Sequence, residues 1–301
     1  MITLHSDRLR VELPEPGERP NDRTRFERAA YISEVVLDGA IQFAANEPKN
    51  LAHPPTGGRG LCCECRTDYS ASAEIGGYFP KFGVGLIRKT DDQPFIFHRR
   101  YDNVQMFPIR YDHSEDTATF VTEPISCMGY ALRTQKTVRV RGNVLTVDAA
   151  AENLGEKDIE FIEFCHNFLS VDGMALGPAY RIAFPTLRDF GQRRMTDING
   201  ALCSLRQDGK GFTYCEFSAG VSHISVDLSG MTQAPFTWRM SNDIAKAYVE
   251  AAESFHPAWL EIWSIDHIIS PEAFQRRLLE PGKAHNWKRT WRFEAYNSEA
   301  N

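Results

Sequence analysis

A histidine and a glutamate stand out for their neighbours. His166 follows an apolar run and is set between Phe164 and Phe168, with Asn167 beside it. Glu261 is set between Trp259 and Trp263. Side chains of a β-strand alternate faces, so each polar residue shares its face with the aromatics two positions away. Imidazole is the one side chain whose ordinary pKa lies near neutrality, so small shifts make it an acid or a base. Indole faces make good platforms for the C–H faces of a sugar ring, and a carboxylate hydrogen-bonds hydroxyls. Both residues also have plainer readings. His166 can be a buried histidine bonded to a backbone carbonyl, and Glu261 a rim carboxylate paired with an arginine.

The elements that must position these residues read as strands. The His166 stretch opens with Phe161, Ile162 and Phe164 and closes on the turn signals Asp172-Gly173 and Gly177-Pro178. On the Glu261 stretch, Leu260 and Ile262 give the opposite face an apolar character. Asp38-Gly39, between two β-rich runs, is a hairpin signal. Gly142-Asn143, between Val138, Val140 and Val144, Thr146, suits a type II′ turn. Residues 94–98, 104–110, 118–122, 257–265 and 288–296 read as further strands, and 212–217 with 221–228 as a pair joined at Ala219-Gly220. Residues 47–60 and the glycine-rich 74–89 read as loops. Ser270-Pro271-Glu272 has the form of an N-cap with proline at the first helical position, opening a short helix to Leu279. Residues 241–254 stay open between a helix, from their Ala and Glu content, and a turn at Asn242-Asp243. Many short strands without βα alternation predict an all-β, antiparallel sandwich or barrel, in one domain over residues 1–301.

Composition narrows the function classes. The 301 residues hold 34 Lys+Arg against 40 Asp+Glu, a net charge of -6, which leaves no electrostatic footprint for nucleic acid. The N-terminal residues lack the apolar core of a secretory signal, and no stretch approaches a membrane-spanning length. A cytoplasmic protein that binds neither nucleic acid nor membrane is expected. The seven cysteines fit reduced thiols. Cys62 and Cys65 have CxxC spacing with Cys63 between, but a zinc site needs a second ligand pair and a redox motif a βαβ context, so packed thiols are expected and no metal. Neither a GxSxG elbow nor an HExxH motif is present. Most basic residues, Arg25 among them, read as solvated surface charges. Lys81 differs, being set in the glycine-rich stretch beside Tyr78, Phe79 and Phe82. There it can reach a cleft and, helped by Arg28 or His98, favour a substrate that carries a carboxylate or phosphate.

Three segments together resemble the aldose 1-epimerase (galactose mutarotase)-like superfamily: residues 161–172, the stretch GGYFPKFGVGLIRK, and the tail from Trp259 through Leu279-Glu280-Pro281-Gly282 to Phe293. The resemblance spans nearly the whole chain and is nearest to a poorly characterised bacterial branch. It implies a large antiparallel β-supersandwich and interconversion of sugar anomers without a cofactor. It also implies roles. A histidine after an apolar strand is the general acid on the ring oxygen, matched here by His166. A glutamate on a late strand, before a segment ending in Pro-Gly, is the general base on the anomeric hydroxyl, matched here by Glu261. Lys81 stands where the galactose mutarotases carry a sugar-contacting arginine. His98 is the stand-in for their early second histidine. Asn167, Trp259, Trp263 and Arg28 complete the expected sugar-binding set. A non-catalytic carbohydrate-binding protein, or a lyase or isomerase acting on a uronate or keto sugar, are the alternatives on the same fold.

Overall fold

Two antiparallel sheets organise the chain in its computed structural model, which describes residues 1–18, 24–47, 58–97, 99, 101–197, 203–217, 220–229, 231 and 234–296. The larger has ten strands, with the hairpin Leu132–Arg141 and Val144–Asn153 and the strand Ala284–Ala295 side by side within it. The smaller runs Met195–Asp197, Ser222–Val226, Trp259–Ile265, Ile268–Leu279, Ile159–Phe168, Gly60–Cys65. Sheets of four and three strands complete the architecture. The fold is the all-β, antiparallel sandwich that the alternating segments predict.

The inner faces of the two large sheets meet in the core. Phe161 lies 5.4 Å from Trp287 between ring centroids, and the Trp291 indole N–H donates to Asn167 Oδ1 at 3.1 Å. One apolar cluster extends from Ile2 to Phe293. Burial on this scale is the main favourable term in folding. On Ile159–Phe168, alternation turns Glu163, Cys165 and Asn167 to this core. It turns Phe164, His166 and Phe168 to the other face, which carries the site.

Both local turn signals hold. Asp38 and Gly39 take positive φ between Glu34–Leu37 and Ile41–Gln42, and Gly142 takes φ 54° between the two long arms. Residues 241–254 resolve as the turn: Asn242 Oδ1 accepts from the N–H groups of Ile244 and Ala245, between Phe236–Asn242 and Ala247–Glu253.

Four local readings are corrected. The expected helix at 270–279 is the strand Ile268–Leu279, which pairs with neighbours on both sides. Residues 74–89 contain two strands, Tyr78–Lys81 and Gly85–Arg88. Gly83 turns between them at φ 78°, and a Cβ there would sit 2.2 Å from the Glu27 side chain. Residues 94–97 form no strand. Gly211–Phe217 and Ser222–Val226 do not pair with each other, because the chain passes between the two large sheets there. Among the described residues no helix is long and apolar enough to cross a membrane.

Candidate active site

Cross-strand register collects the polar residues into one row. His166 stands opposite Cys62 on Gly60–Cys65. Glu261 stands opposite Glu272, and Trp263 opposite Ser270. Directly opposed side chains share a face, with Cβ atoms ~4.5–5.5 Å apart. The result is two His–Glu pairs side by side. His166 Nε2 lies 3.1 Å from Glu272 Oε1, and His223 Nε2 lies 2.8 Å from Glu261 Oε2. They differ in access: the first pair's side chains are 2% and 5% exposed, the second pair's 26% and 22%.

Aromatic rings seal the inner pair. Phe168 stacks on His166 at 3.9 Å, while Phe26 and Trp263 meet it edge-on at 5.9 and 5.1 Å. Burial disfavours the charged form of each member. It holds His166 well below the ordinary imidazole range, with Arg25 and Arg66 adding to the effect. It pushes Glu272 up to about 8, Glu261 adding to the rise and Arg25 opposing it. Both shifts favour the uncharged forms, a neutral imidazole facing a protonated carboxyl across 3.1 Å, over an ion pair. The Ser270 hydroxyl donates to Glu272 Oε1 at 3.0 Å and accepts the Asn167 backbone N–H at 2.8 Å, fixing the carboxyl's place.

Beside the pair, Phe164, Phe274 and Trp259 form a stacked run across three strands, with centroid spacings of 4.2 and 4.7 Å. Next along Gly60–Cys65 is Glu64, opposite Phe164 and wholly buried. Burial alone would raise its pKa, but Lys81, Arg25 and Arg66 outweigh it and hold the carboxylate below its usual range.

The structure brings together His166, Glu261, Trp259 and Trp263 on one face. Three other expected residues lie elsewhere. Lys81 is 2% exposed and reaches no open cleft: Nζ donates to Glu64 Oε1 at 3.2 Å and to the Cys65 carbonyl at 2.5 Å. Asn167 faces the core, where its amide donates to the Cys165 and Pro271 carbonyls at 3.0 and 2.6 Å. The Arg28 guanidinium lies beside Gly17. His98 falls outside the described residues. Arg25 is buried, not a surface charge. Cys62, Cys63 and Cys65 are buried free thiols. Cys62 shares the His166 face and Cys65 the opposite one, so the CxxC pair points apart. Sequence reasoning missed Glu272, His223, Arg25 and Arg66. His223 stood in a correctly recognised strand, two residues from Ser225, which pairs with Glu261. Glu272 was hidden in a helix signature.

No protein-family model and no curated protein matches this chain. Solved structures do. A galactose mutarotase-like protein from Lactobacillus casei superposes with a TM-score of 0.62 at 12% identity, covering 98% of this chain and 100% of that one. A galactose mutarotase related enzyme from Lactobacillus acidophilus gives 0.60 at 11% identity, over 100% and 99%. An aldose epimerase homologue from C. elegans gives 0.56 at 10%, over 98% and 99%. Agreement over both whole chains, at so low an identity, shows that this chain has the galactose mutarotase-like fold.

Proposed function

We propose that the chain is a sugar epimerase of mutarotase type, interconverting the anomers of an aldose or sugar acid by general acid–base catalysis. The observation that supports this most is a sealed His166–Glu272 pair, 3.1 Å apart, beside a solvent-reached His223–Glu261 pair on one face. Two titratable pairs in unlike environments are what an acid and a base require.

In this reading Glu261 takes the proton of the anomeric hydroxyl. The bond from the anomeric carbon to the ring oxygen breaks, and the ring oxygen takes the proton shared by His166 and Glu272. The open aldehyde rotates and closes on its other face, and the reverse transfers restore both pairs. Trp259 and Trp263 supply the platforms for the ring. His166 is closed off by Phe26, Phe168 and Trp263, so in this reading the ring oxygen reaches it only when one of these rings moves aside.

One observation favours a variant of these roles. Glu272 lies on the late strand that runs into Pro281-Gly282, which also fits the position of the family's base. Anomer exchange measured by NMR separates the variants. Glu261→Gln and His166→Asn are each expected to lower the rate ~10²–10⁴-fold while the sugar's dissociation constant changes far less. If Glu272→Gln has that effect and Glu261→Gln has none, Glu272 is the base. If wild type accelerates exchange for no sugar it binds, the epimerase reading falls and a binding protein takes its place.

A further inference from the structure

We propose that Arg66 and Arg25 form an anion-binding subsite beside the His166–Glu272 pair, so that the preferred sugar carries a carboxylate or phosphate away from its anomeric carbon. For binding this stands on its own; only its link to catalysis rests on the epimerase reading.

The first support is charge. Three cationic side chains converge on one carboxylate, Glu64. Lys81 and Arg25 are close enough to hydrogen-bond it, at 3.2 and 3.0 Å, and Arg66 stands off at 3.7 Å. One carboxylate cannot balance three cations, so the cluster keeps a positive excess. A neutral sugar leaves that excess as it is, whereas an anion offsets it.

The second support is donor capacity. Arg25 uses Nε on Glu64, and its terminal nitrogens have no acceptor among the described residues. Arg66 has no side-chain hydrogen bond among them at all, and its side chain is 33% exposed. Guanidinium donors form a planar fork suited to carboxylate or phosphate oxygens. Both forks are held by one ring: Arg66 lies 3.9 Å and Arg25 4.8 Å from the Phe97 centroid. Arg25 also packs on Phe26 at 4.5 Å. The donors are thus placed before a ligand arrives, which lowers the ordering cost of binding.

The third support is reach. Glu64 lies two residues along its strand from Cys62, which stands opposite His166. At a rise of ~3.3 Å per residue the subsite is displaced about 7 Å from the proton-holding pair. That is about the span of a pyranose from its ring oxygen and anomeric carbon to an exocyclic acidic group. Lys81, the cation singled out from sequence, is consumed by Glu64 and Cys65, while Arg66 faces solvent.

The experiment is calorimetric titration of the full chain with D-glucuronate, D-glucose 6-phosphate, D-glucose and inorganic phosphate, the last needing no match to a sugar's stereochemistry. Arg66→Met keeps a stem on Phe97 and removes the charge. The expected result is that inorganic phosphate and at least one anionic sugar bind, and that Arg66→Met weakens them ~10- to 100-fold while glucose is unaffected. Which anionic sugar prevails distinguishes a carboxylate site from a phosphate site. Arg66→Lys restores part of the loss. The subsite is refuted if neither inorganic phosphate nor either anionic sugar binds, or if Arg66→Met weakens glucose as much as the anions. Anomer exchange is followed separately. Anionic sugars bound through Arg66 without accelerated exchange sink the epimerase reading alone; accelerated exchange of an anionic sugar whose binding and rate are both indifferent to Arg66 sinks the subsite alone.

Discussion

Glu163 and Glu272 are sealed in the same sheet on adjacent strands, and the molecule treats them oppositely. Glu163 faces the core. The Arg289 fork grips it, with one terminal nitrogen 2.7 Å from Oε1 and the other 2.8 Å from Oε2, and Gln275 donates a third bond at 2.8 Å. Burial would raise the Glu163 pKa, but Arg289 outweighs it and the group stays ionised. Glu272 has an imidazole and a hydroxyl in place of a guanidinium, and burial carries its pKa to about 8. Glu253 falls between them: it shares Arg289 through Nε at 2.8 Å, and burial still lifts it to about 7. Burial alone decides nothing here. A bidentate cation makes one glutamate a structural anion, and its lack makes the other a holder of a proton.

Removing each glutamate's partner should therefore have unlike effects. Arg289→Met strands two buried carboxylates, and losing one side of a buried pair costs ~3–5 kcal/mol. Urea unfolding is expected to show a loss of that size. Glu272→Gln replaces a neutral acid by a neutral amide and is expected to stay within about 1 kcal/mol of wild type at pH ~4, and to gain on wild type as pH rises towards neutrality, because it holds no proton that the unfolded chain releases. Equal losses in the two variants would mean that Glu272 is ionised, and the contrast would collapse.

The pH dependence sharpens the same point with opposite signs. The folded pKa of Glu272 is raised, so the native state keeps a proton that the unfolded chain has released. Its contribution to stability is then largest at acid pH and is lost as pH rises from the ordinary carboxylate range towards 8. Glu163 is lowered, so its contribution is present at neutral pH and is lost as pH falls below the ordinary carboxylate range. Unfolding free energies of wild type and Glu272→Gln should diverge between pH ~5 and ~8, wild type losing up to ~1.4 kcal/mol per pH unit relative to the variant. Parallel curves would show that Glu272 carries no proton.

Local pattern made parts of this legible. His166 and Glu261 are each flanked at two-residue spacing by aromatics, and that period survives in the fold as a shared face. The turns at Asp38-Gly39 and Gly142-Asn143 depend only on residues that tolerate positive φ. Glu272 was illegible because Ser270-Pro271-Glu272 has the composition of a helix start. In the folded chain the same residues serve sideways. The Ser270 hydroxyl bridges Asn167 and Glu272, and the Asn167 amide binds the Pro271 carbonyl where the ladder to Ile159–Phe168 has lapsed. Pairing of residues 268–274 with Trp259–Ile265 overrode local propensity. Arg25 carried no local signal either, since its carboxylate partner lies 39 residues away.

The smallest expected effect belongs to the exposed pair. His223 Nε2, 2.8 Å from Glu261 Oε2, orients the carboxylate that the proposed mechanism uses as base. It is a positioning residue, because it acts on the sugar only through Glu261. Losing one hydrogen bond of ordinary strength amounts to ~0.5–1.5 kcal/mol, about 2- to 10-fold in rate. His223→Ala is expected to lower the anomer-exchange rate by that factor with little change in KM. His223→Gln, which retains an N–H donor, should recover most of the loss. The pH–rate profile of the alanine variant should keep the shape of wild type, since a group that only holds Glu261 in place transfers no proton. A loss as large as that of Glu261→Gln, with a limb of the profile gone, would make His223 an acid–base group itself. The working pair would then be the one that solvent reaches, and His166–Glu272 a buried support beneath it.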